Sequence, residues 1–357
     1  MSPDIRPPGA IDAPWLEAVL AAGGVEARLA SFTAQKVGTG QIGDCVRFTL
    51  AYQSAPPGAP ATLVGKFPSS GEESRAAGVS LGNYHREVKF YQLLQSRARI
   101  ATPRCWFAAV DETTHDFVLM MNDLAPASQG DQLAGVDAGA AAVALTEAAK
   151  LHAAFWADDS LDAYAWVSGT THAPNPISPD LLATLWAGFV DRYGPRVSPR
   201  AHRIGAAMAA NLQGYDALRA GPRSLIHCDF RPDNMMFDDR STPQRVTIVD
   251  WQSFAYGPAA SDVGYFIAGA LAPDLRRAHE HELIDLYLAE LARQGGGPYD
   301  RESFTRHYVA GAYQHFLTAY FAAMVVTQTP RGDDMFFKML DGAVDLIFDY
   351  GAQDWIG

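Results

Sequence analysis

Residues 225–237 read LIHCDFRPDNMMF, and residues 246–251 read VTIVDW. The apolar runs in these stretches predict two short strands, joined by a polar turn into a hairpin. Such a hairpin would bring Asn234 and Asp250 to the same end, beside Asp229. We therefore expect one amide and two carboxylates to converge there. Hard oxygen donors of this kind suit magnesium rather than zinc.

The same stretch places His227, Asp229 and Asn234 in the pattern H-x-D-x-x-x-x-N, and Asp250 follows at the end of an apolar strand. Phosphoryl transfer needs a metal ion that bridges phosphate oxygens. It also needs a carboxylate that orients the attacking hydroxyl and accepts its proton. The alternative is that these polar residues only form a solvated turn between buried strands. The specificity of the combined pattern favours the functional interpretation.

A glycine-rich segment, GTGQIG, contains Gly38, Gly40 and Gly43 in the pattern G-x-G-x-x-G. On its own this pattern is weak, because it could also open the helix of a Rossmann unit. Apolar and polar residues alternate over 44–52, which predicts a strand after the loop rather than a helix. The backbone N–H groups of a strand-turn-strand loop could cover phosphates. A plain hairpin turn is the alternative.

The arrangement of predicted elements divides the chain into two parts. The first third is mixed, with predicted strands at 62–67, 105–110 and 117–121. Beyond Asn122 long amphipathic helices dominate, apart from the β-rich patch that contains the motif. We expect a β-rich N-terminal lobe over residues 1–123 and a mainly helical C-terminal lobe over 124–357.

On these motifs the chain resembles the aminoglycoside phosphotransferase superfamily, and especially its ecdysteroid-kinase-like (CHK kinase-like) branch. The resemblance covers nearly the whole chain, in the order glycine loop, strand Lys, helix Glu, hinge, catalytic loop and metal Asp. It implies an α+β, protein-kinase-like bilobal fold. It also implies an ATP- and Mg²⁺-dependent kinase that phosphorylates the hydroxyl group of a small molecule. The N-terminal lobe would bind the nucleotide, and the C-terminal lobe would carry the catalytic and acceptor-binding groups.

The resemblance assigns roles residue by residue. Asp229 matches the catalytic base, and Asn234 and Asp250 match the metal ligands. Lys66, which ends an apolar strand, matches the Lys that binds the α- and β-phosphates. Its expected partner is Glu87; Glu72 and Glu73 are rivals, in a segment that reads as a Ser/Gly-rich loop. The glycines named above would cover the phosphates, and adenine would be bound by the Met121 carbonyl and the Asp123 amide.

Arg231 lies two residues after the predicted base, where protein kinases place a Lys that contacts the transferred phosphate. An Arg there could stabilise negative charge that develops on the phosphoryl oxygens. The alternative is a surface Arg paired with Asp233 or Asp262. We expect Asp262 to be structural, either as in the family or as a helix cap, and His152 to be a packed structural histidine.

The composition excludes several classes of partner. The chain has 357 residues and a formal net charge of −12, whereas nucleic acid and anionic membranes require clustered Lys and Arg. No signal peptide or membrane span is predicted. The three cysteines have neither disulfide-framework nor zinc spacing. We therefore expect a cytoplasmic protein without nucleic-acid or membrane partners; the oligomeric state is not predicted.

The acceptor is predicted from one aromatic stretch. Residues 304–324 contain six Phe or Tyr residues and Met324, and no acidic residue occurs between Glu302 and Asp333. An aromatic wall suits an apolar alcohol better than a polycationic aminoglycoside. The alternatives are that the stretch is core, or that carboxylates elsewhere reach the pocket: Asp180, Asp191, Asp349 or Asp354. An aminoglycoside or amino-alcohol kinase is the second candidate, and a catalytically inactive kinase-like binding protein is the third.

Overall fold

The computed structural model describes residues 3–38, 42–171 and 178–357. The chain forms two compact units. The first unit comprises Met1–Arg97, Thr102–Ala127 and Val249–Gln252, and the second comprises Ala98–Ala101, Ser128–Ile248 and Ser253–Gly357. The short segment Val249–Gln252 therefore belongs to the first unit, although the chain on both sides of it belongs to the second.

A five-stranded antiparallel sheet lies at the centre of the first unit. Its strands are β1 (Arg28–Val37), β2 (Gly43–Ser54), β3 (Thr62–Pro68), β4 (Cys105–Val110) and β5 (Phe117–Asn122). The spatial order is β1-β2-β3-β5-β4, and each neighbouring pair is antiparallel. All three strands predicted for the first third of the chain are present. Alternating side chains of β2 and β3 enter the core, among them Phe48 and Leu63, which are fully buried.

Three helices complete the first unit: α1 (Ala13–Ala22), α2 (Glu72–Ser80) and α3 (Asn83–Lys89), which continues into a π-helical turn over Phe90–Leu94. Helix α2 corrects the sequence prediction, which placed Glu72 and Glu73 in a loop. These two carboxylates lie in the first turn of α2, where they interact favourably with the helix dipole. Helix α2 has few apolar side chains and therefore no apolar face that would mark a buried side. The buried residue of α2 is Gly78.

The second unit is mainly helical. Its helices are α4 (Ala138–Ala154), α5 (Pro179–Tyr193), α6 (Pro199–Ala210), α7 (Leu212–Leu218), α8 (Ala260–Ala270), α9 (Pro273–Arg293), α10 (Arg301–Val325) and α11 (Pro330–Asp349). Helices α6 and α7 are separated by a break at Asn211. The Asn211 side chain accepts a hydrogen bond from the Gly214 N–H. It therefore caps α7 and starts a new helix.

Two small antiparallel sheets interrupt these helices. One pairs β7 (Ser224–Ile226) with β10 (Ala255–Gly257), and the other has the order β6-β8-β9, from Ser128–Gln129, Met235–Asp238 and Arg245–Ile248. In the second sheet Met235 pairs with Ile248 and Asp238 pairs with Arg245. The predicted hairpin is therefore confirmed. Together with the sheet of the first unit and the helices of the second, it confirms the α+β class.

Helix α8 is the central helix of the second unit, since every one of its residues is buried. It packs closely on α10, because a Cβ atom on Gly264 would collide with the Tyr308 carbonyl oxygen, and one on Gly311 with the Ser261 carbonyl oxygen. Backbone approach of this kind requires glycine. The contact fixes α8 along its length, and α8 carries two residues of the candidate site.

The aromatic stretch of α10 is largely core. Phe304 is 4% exposed, and Tyr308, Tyr313, Phe316 and Tyr320 are completely buried. The alternative that this stretch is core is therefore correct for most of its rings. Of the seven large residues, Phe321 and Met324 are the ones that keep partial exposure.

The helices of both units were compared with the length and hydropathy of membrane-spanning helices. Over the described ranges, none of the helices has the length and apolar character that a membrane crossing requires.

Candidate active site

The first of two polar clusters, the lysine cluster, consists of Lys66, Glu87 and Asp250. The Lys66 Nζ lies 2.7 Å from Glu87 Oε2 and 2.8 Å from Asp250 Oδ1. Glu87, on α3, is buried, while the Lys66 side chain is 12% exposed and the Asp250 side chain 27%. The expected pairing of Lys66 with Glu87 is therefore present, and the cluster also includes Asp250.

The ionisation of this cluster follows from burial and from the two carboxylates. Burial opposes the charge on Lys66, but Asp250 and Glu87 outweigh it and raise the pKa of Lys66. Burial raises the pKa of Glu87, and the Lys66 ammonium opposes that rise. Removing either carboxylate would leave the ammonium with less compensation for its burial.

The segment that carries Asp250 is held by contacts inside the first unit. The Trp251 ring stacks on Phe90 with centroids 3.9 Å apart and an interplanar angle of 3°. Arg86 Nη1 donates a hydrogen bond of 2.8 Å to the Gln252 carbonyl oxygen. Asp250 itself has a φ of +67°, a conformation that L-residues adopt rarely and that concentrates at functional sites.

The glycine segment joins two antiparallel strands. Val37 at the end of β1 pairs with Cys45 in β2, so the strand-turn-strand prediction is confirmed and the Rossmann alternative is wrong. Gly38 has a φ of +74°, which glycine adopts without strain. Gly43 begins β2 and pairs with Pro68, whereas Gly40 lies outside the described residues.

One tyrosine fastens the end of this loop. The Tyr84 hydroxyl donates a hydrogen bond of 2.6 Å to the Ile42 carbonyl oxygen and accepts one of 3.3 Å from the Ser69 N–H. Tyr84 lies on α3, the helix that also carries Glu87. The position of the loop end is therefore coupled to the helix that holds the partner of Lys66.

The predicted adenine-binding residues lie at the end of β5. Met121 pairs with Val64 of β3 and with Cys105 of β4. The Asp123 carboxylate accepts hydrogen bonds of 2.6 and 3.1 Å from Arg47. Burial opposes ionisation of Asp123, but Arg47 outweighs it and lowers the pKa of Asp123. Adenine binding by the backbone groups of Met121 and Asp123 stays a prediction.

The second polar cluster, the catalytic-loop cluster, consists of Asp229, Arg231, Asn234 and Tyr265, all in the second unit. Asp229 Oδ1 lies 3.0 Å from Arg231 Nε and accepts a hydrogen bond of 2.8 Å from the Tyr265 hydroxyl. Asp229 Oδ2 accepts a hydrogen bond of 2.8 Å from Asn234 Nδ2. The Asp229 side chain is 19% exposed, so the predicted base can be reached from solvent.

The donors around Asp229 keep it ionised. Burial works against the charged form, but Arg231 and the hydrogen bond from Tyr265 outweigh it and lower the pKa of Asp229. Burial likewise opposes the charge on Arg231, while Asp229 and Asp233 raise the pKa of Arg231. The pair is therefore a carboxylate beside a guanidinium.

Arg231 is paired with acidic neighbours. Its Nη1 donates a hydrogen bond of 2.6 Å to Asp233 Oδ2, in addition to the contact with Asp229. Its Nη1 also lies 3.2 Å from the Met335 sulfur. The alternative pairing of Arg231 with Asp233 is therefore present, whereas Asp262 binds other groups. Contact between Arg231 and a transferred phosphate stays a prediction.

Asp262 holds the backbone of the catalytic loop. Its carboxylate accepts hydrogen bonds of 2.6 Å from the His227 N–H and 2.9 Å from the Cys228 N–H. Its Oδ2 also lies 3.2 Å from His152 Nε2, and His152 Nδ1 lies 2.9 Å from the Tyr287 hydroxyl. The structural roles expected for Asp262 and His152 are present. Asp262 performs its role by binding the loop rather than by capping α8, whose N-cap is Ala259.

The loop backbone is unusual at Cys228, whose φ is +66°. The two hydrogen bonds to Asp262 compensate for this conformation, which is costly for a residue other than glycine. His227 also contributes, because the Asp229 N–H lies 3.3 Å from His227 Nδ1. The loop is therefore shaped by buried polar contacts that place the Asp229 carboxylate.

The structure thus groups the predicted site residues into two sets. Lys66, Glu87 and Asp250 lie together in the first unit, and Asp229, Arg231 and Asn234 lie together in the second. The convergence of Asp250 with Asn234 beside Asp229 stays a prediction. Sequence reasoning missed Tyr265; the available signal was its position three residues after Asp262, which places both on one face of a helix.

The donors offered by the two predicted metal ligands fit magnesium. Asn234 uses its amide nitrogen for Asp229, so its amide oxygen is the atom that it could offer to a metal ion. Asp250 could offer a carboxylate. Across the described ranges, the structure has no group of three or more His, Cys, Asp or Glu side chains that could hold a metal by themselves.

Comparison with solved structures identifies the class of fold. A candidate aminoglycoside phosphotransferase from Ralstonia eutropha JMP134 has a TM-score of 0.56 at 14% identity, covering 97% of this chain and 98% of that chain. The GDP and kanamycin complex of APH(2″)-IIIa has a TM-score of 0.53 at 13% identity, covering 96% of this chain and 100% of that one. The fold is therefore kinase-like, as predicted.

The family follows from the sequence. The profile of the phosphotransferase enzyme family (APH) matches residues 58–304, which span both polar clusters. The chain belongs to this phosphotransferase enzyme family. A search of curated protein sequences returned no match.

Proposed function

We propose that the protein is a small-molecule kinase that transfers the γ-phosphate of Mg-ATP to a hydroxyl group of a small, apolar molecule. One observation carries the proposal: a buried Lys held by two carboxylates and a catalytic-loop Asp held by three donors occur in one chain of the phosphotransferase family. Together they supply the groups that phosphoryl transfer requires.

The nucleotide would be bound by the first unit. Lys66 would contact the α- and β-phosphates as a positive charge that Glu87 and Asp250 keep in place. The backbone N–H groups of the glycine loop would cover the phosphates. The residues proposed to contact the nucleotide through the backbone are Gly38, Gly40, Gly43, Met121 and Asp123.

Magnesium would be held by Asn234 and Asp250. When bound, it neutralises phosphate charge and aligns the γ-phosphate for displacement. The protein contributes an amide oxygen and a carboxylate, and the phosphates and water supply the other ligands.

Asp229 would be the catalytic base. It is ionised and partly exposed, and its neighbours restrict its orientation. It would orient the acceptor hydroxyl and take its proton as the oxygen attacks the γ-phosphorus. Arg231, already beside Asp229, would stabilise charge on the transferred phosphoryl group.

We also propose that the protein belongs to the ecdysteroid-kinase-like branch of the family. Support comes from Asp250, Trp251 and Gln252, which stand where protein kinases have Asp-Phe-Gly, as is usual in that branch. In this protein the Trp251 ring stacks on Phe90 and the Gln252 carbonyl binds Arg86. These two contacts hold the residues that follow Asp250 in the tripeptide.

An apolar acceptor is supported by the ion pairs of Asp349 and Asp354, two of the four carboxylates that the sequence offered as alternatives for the acceptor pocket. Asp349 is paired with Arg277 and with Arg276, and Asp354 is paired with Arg203 at 2.6 Å. These carboxylates already have arginine partners, with which the ammonium groups of an aminoglycoside would have to compete. Most aromatic rings of α10 are buried in the core, so few of them could contact an acceptor. An aminoglycoside or amino-alcohol acceptor is therefore the alternative that the experiment must separate.

The test has two stages. ATP with magnesium should raise the melting temperature, because binding to the folded state stabilises it, and NAD should not; GTP is the second nucleotide to compare. ADP release is then measured with apolar alcohols, sterols, hydroxyacyl thioesters, sugars, amino alcohols and kanamycin-type aminoglycosides. Turnover of the aminoglycosides alone would refute the apolar acceptor. Nucleotide binding without turnover of any acceptor would favour an inactive binding protein.

A further inference from the structure

Tyr265 contacts the predicted base from inside the protein. Its hydroxyl donates a hydrogen bond of 2.8 Å to Asp229 Oδ1, although the two residues are separated by 36 positions in the chain. Tyr265 is completely buried, and its buried hydroxyl uses Asp229 as an acceptor. A buried tyrosine hydroxyl needs such a partner. The contact therefore constrains both residues.

The two oxygens of Asp229 are unequally occupied. Each carboxylate oxygen can accept about two hydrogen bonds. Oδ1 faces two donors, the Tyr265 hydroxyl and Arg231 Nε. Oδ2 accepts from the Asn234 side chain. Oδ1 therefore has one hydrogen bond and one ion-pair contact, whereas Oδ2 has one hydrogen bond, so Oδ2 is the oxygen with more capacity for a further hydrogen bond.

Helix α8 gives Tyr265 a fixed position. The Tyr265 ring packs edge-on against His315 with centroids 4.3 Å apart and an interplanar angle of 90°. The adjacent Gly264 brings α8 against the backbone of α10. One turn earlier on the same helix, Asp262 binds the backbone N–H groups of the catalytic loop. The helix thus holds the backbone of the loop with one residue and the carboxylate of Asp229 with another.

We propose that Tyr265 is a positioning residue that occupies Asp229 Oδ1 and thereby selects Oδ2 as the atom that accepts the proton of the acceptor hydroxyl. The inference rests on the proposed kinase function. In the step, the acceptor oxygen forms a bond to the γ-phosphorus while its proton moves to Asp229 Oδ2. The bond between the γ-phosphorus and the β,γ-bridging oxygen breaks, and its electron pair leaves with ADP.

The main test is the variant Tyr265→Phe, which removes the hydroxyl and keeps the ring against His315. Asp229 then keeps Arg231 and Asn234 as partners but loses the hydrogen bond that fixes Oδ1. We expect kcat to fall about 10- to 100-fold, as when a reacting group loses part of its alignment. The KM for ATP should stay unchanged, because Tyr265 is not among the groups proposed to bind nucleotide. Rates are referred to the folded fraction, so that loss of stability does not count as loss of catalysis.

Tyr313→Phe is the matched control. Tyr313 is a buried residue of α10 whose hydroxyl donates a hydrogen bond of 2.8 Å to the Ala352 carbonyl oxygen. The substitution removes a tyrosine hydroxyl group that binds Ala352 rather than Asp229. Tyr313→Phe should leave kcat unchanged. An equal fall of kcat in both variants, or an unchanged kcat in Tyr265→Phe, would overturn the positioning role.

A crystal structure of the wild-type protein tests the inference without an activity or a variant. The Tyr265 hydroxyl should bind Asp229 Oδ1, and Oδ2 should face solvent or substrate beside Asn234. A Tyr265 hydroxyl bonded to another acceptor would refute the inference, even if the protein is an active kinase. Absence of turnover with every acceptor, together with the expected contact, would instead refute the proposed function.

Discussion

Replacing Asp262 by Asn should destabilise the protein through the catalytic loop. The carboxylate of Asp262 accepts from the N–H groups of His227 and Cys228 with different oxygens, Oδ2 and Oδ1. An asparagine has one oxygen and one NH₂ group, which cannot accept a hydrogen bond. In either orientation of the amide, one buried backbone N–H therefore faces another donor.

The magnitude follows from these contacts. A hydrogen bond to a charged group contributes about 1.5–3 kcal/mol, and a buried donor left without an acceptor costs about 1–3 kcal/mol. The remaining bond also loses its ionic character. We expect the free energy of unfolding to fall by about 3 kcal/mol.

The measurement is urea unfolding, followed by tryptophan fluorescence and by circular dichroism. Coincident curves from the two probes justify a single free energy of unfolding. The control is Asp300→Asn, since Asp300 caps α10 with one exposed hydrogen bond to the Ser303 N–H, and Asn caps a helix about as well as Asp. Asp300→Asn should change the free energy by less than about 0.5 kcal/mol. An equally small change in Asp262→Asn would refute the reasoning.

Four further predictions concern the two clusters and a buried histidine. Asp229→Asn should lower kcat by about 10²–10⁴ and keep nucleotide affinity. Asp250→Asn should instead weaken Mg-ATP binding in calorimetry, since the proposed metal ligand loses its charge. Glu87→Gln should weaken ATP binding about tenfold, because Lys66 loses one of its two ionic partners; a factor of ten corresponds to about 1.4 kcal/mol. Burial lowers the pKa of His315 to about 3 from its usual 6.5. As the pH falls, His315 is therefore protonated in the unfolded chain before it is protonated in the folded protein. The free energy of unfolding should fall by about 2 kcal/mol between pH 6.5 and pH 5 for this reason. The variant His315→Gln should lack this loss.

Each of these predictions has a contradicting result. Full turnover by Asp229→Asn would assign the base elsewhere, and unchanged Mg-ATP affinity in Asp250→Asn would remove it from the metal site. Unchanged ATP affinity in Glu87→Gln would mean that Asp250 alone holds Lys66. For His315, the pH dependence of unfolding in His315→Gln should be shallower than in the wild type; parallel curves would show that His315 is not buried in its neutral form.

Much of the fold could be predicted from local patterns. Alternation of apolar residues identified the strands of the first unit, and Ser178, which caps α5 before Pro179, is a local signal of the kind that marks a helix start. Helix α2 could not be predicted, because its sequence, EESRAAGVS, shows no continuous apolar face. Its Gly78 is required by a contact outside the helix, since a Cβ there would come within 2.6 Å of the Tyr84 ring.

By itself, the sequence determined the chemical groups of this protein and their order along the chain. The catalytic-loop pattern with Asp229 and Asn234 and the Lys66 at the end of a strand can be read without a structure. The structure decided that Lys66 pairs with Glu87 rather than with its rivals Glu72 and Glu73. The tertiary structure alone decided which donor binds which oxygen of Asp229. Tyr265 reaches Asp229 because the close packing of helices brings α8 against the loop. Packing of this kind joins residues far apart in sequence, and no local periodicity records it.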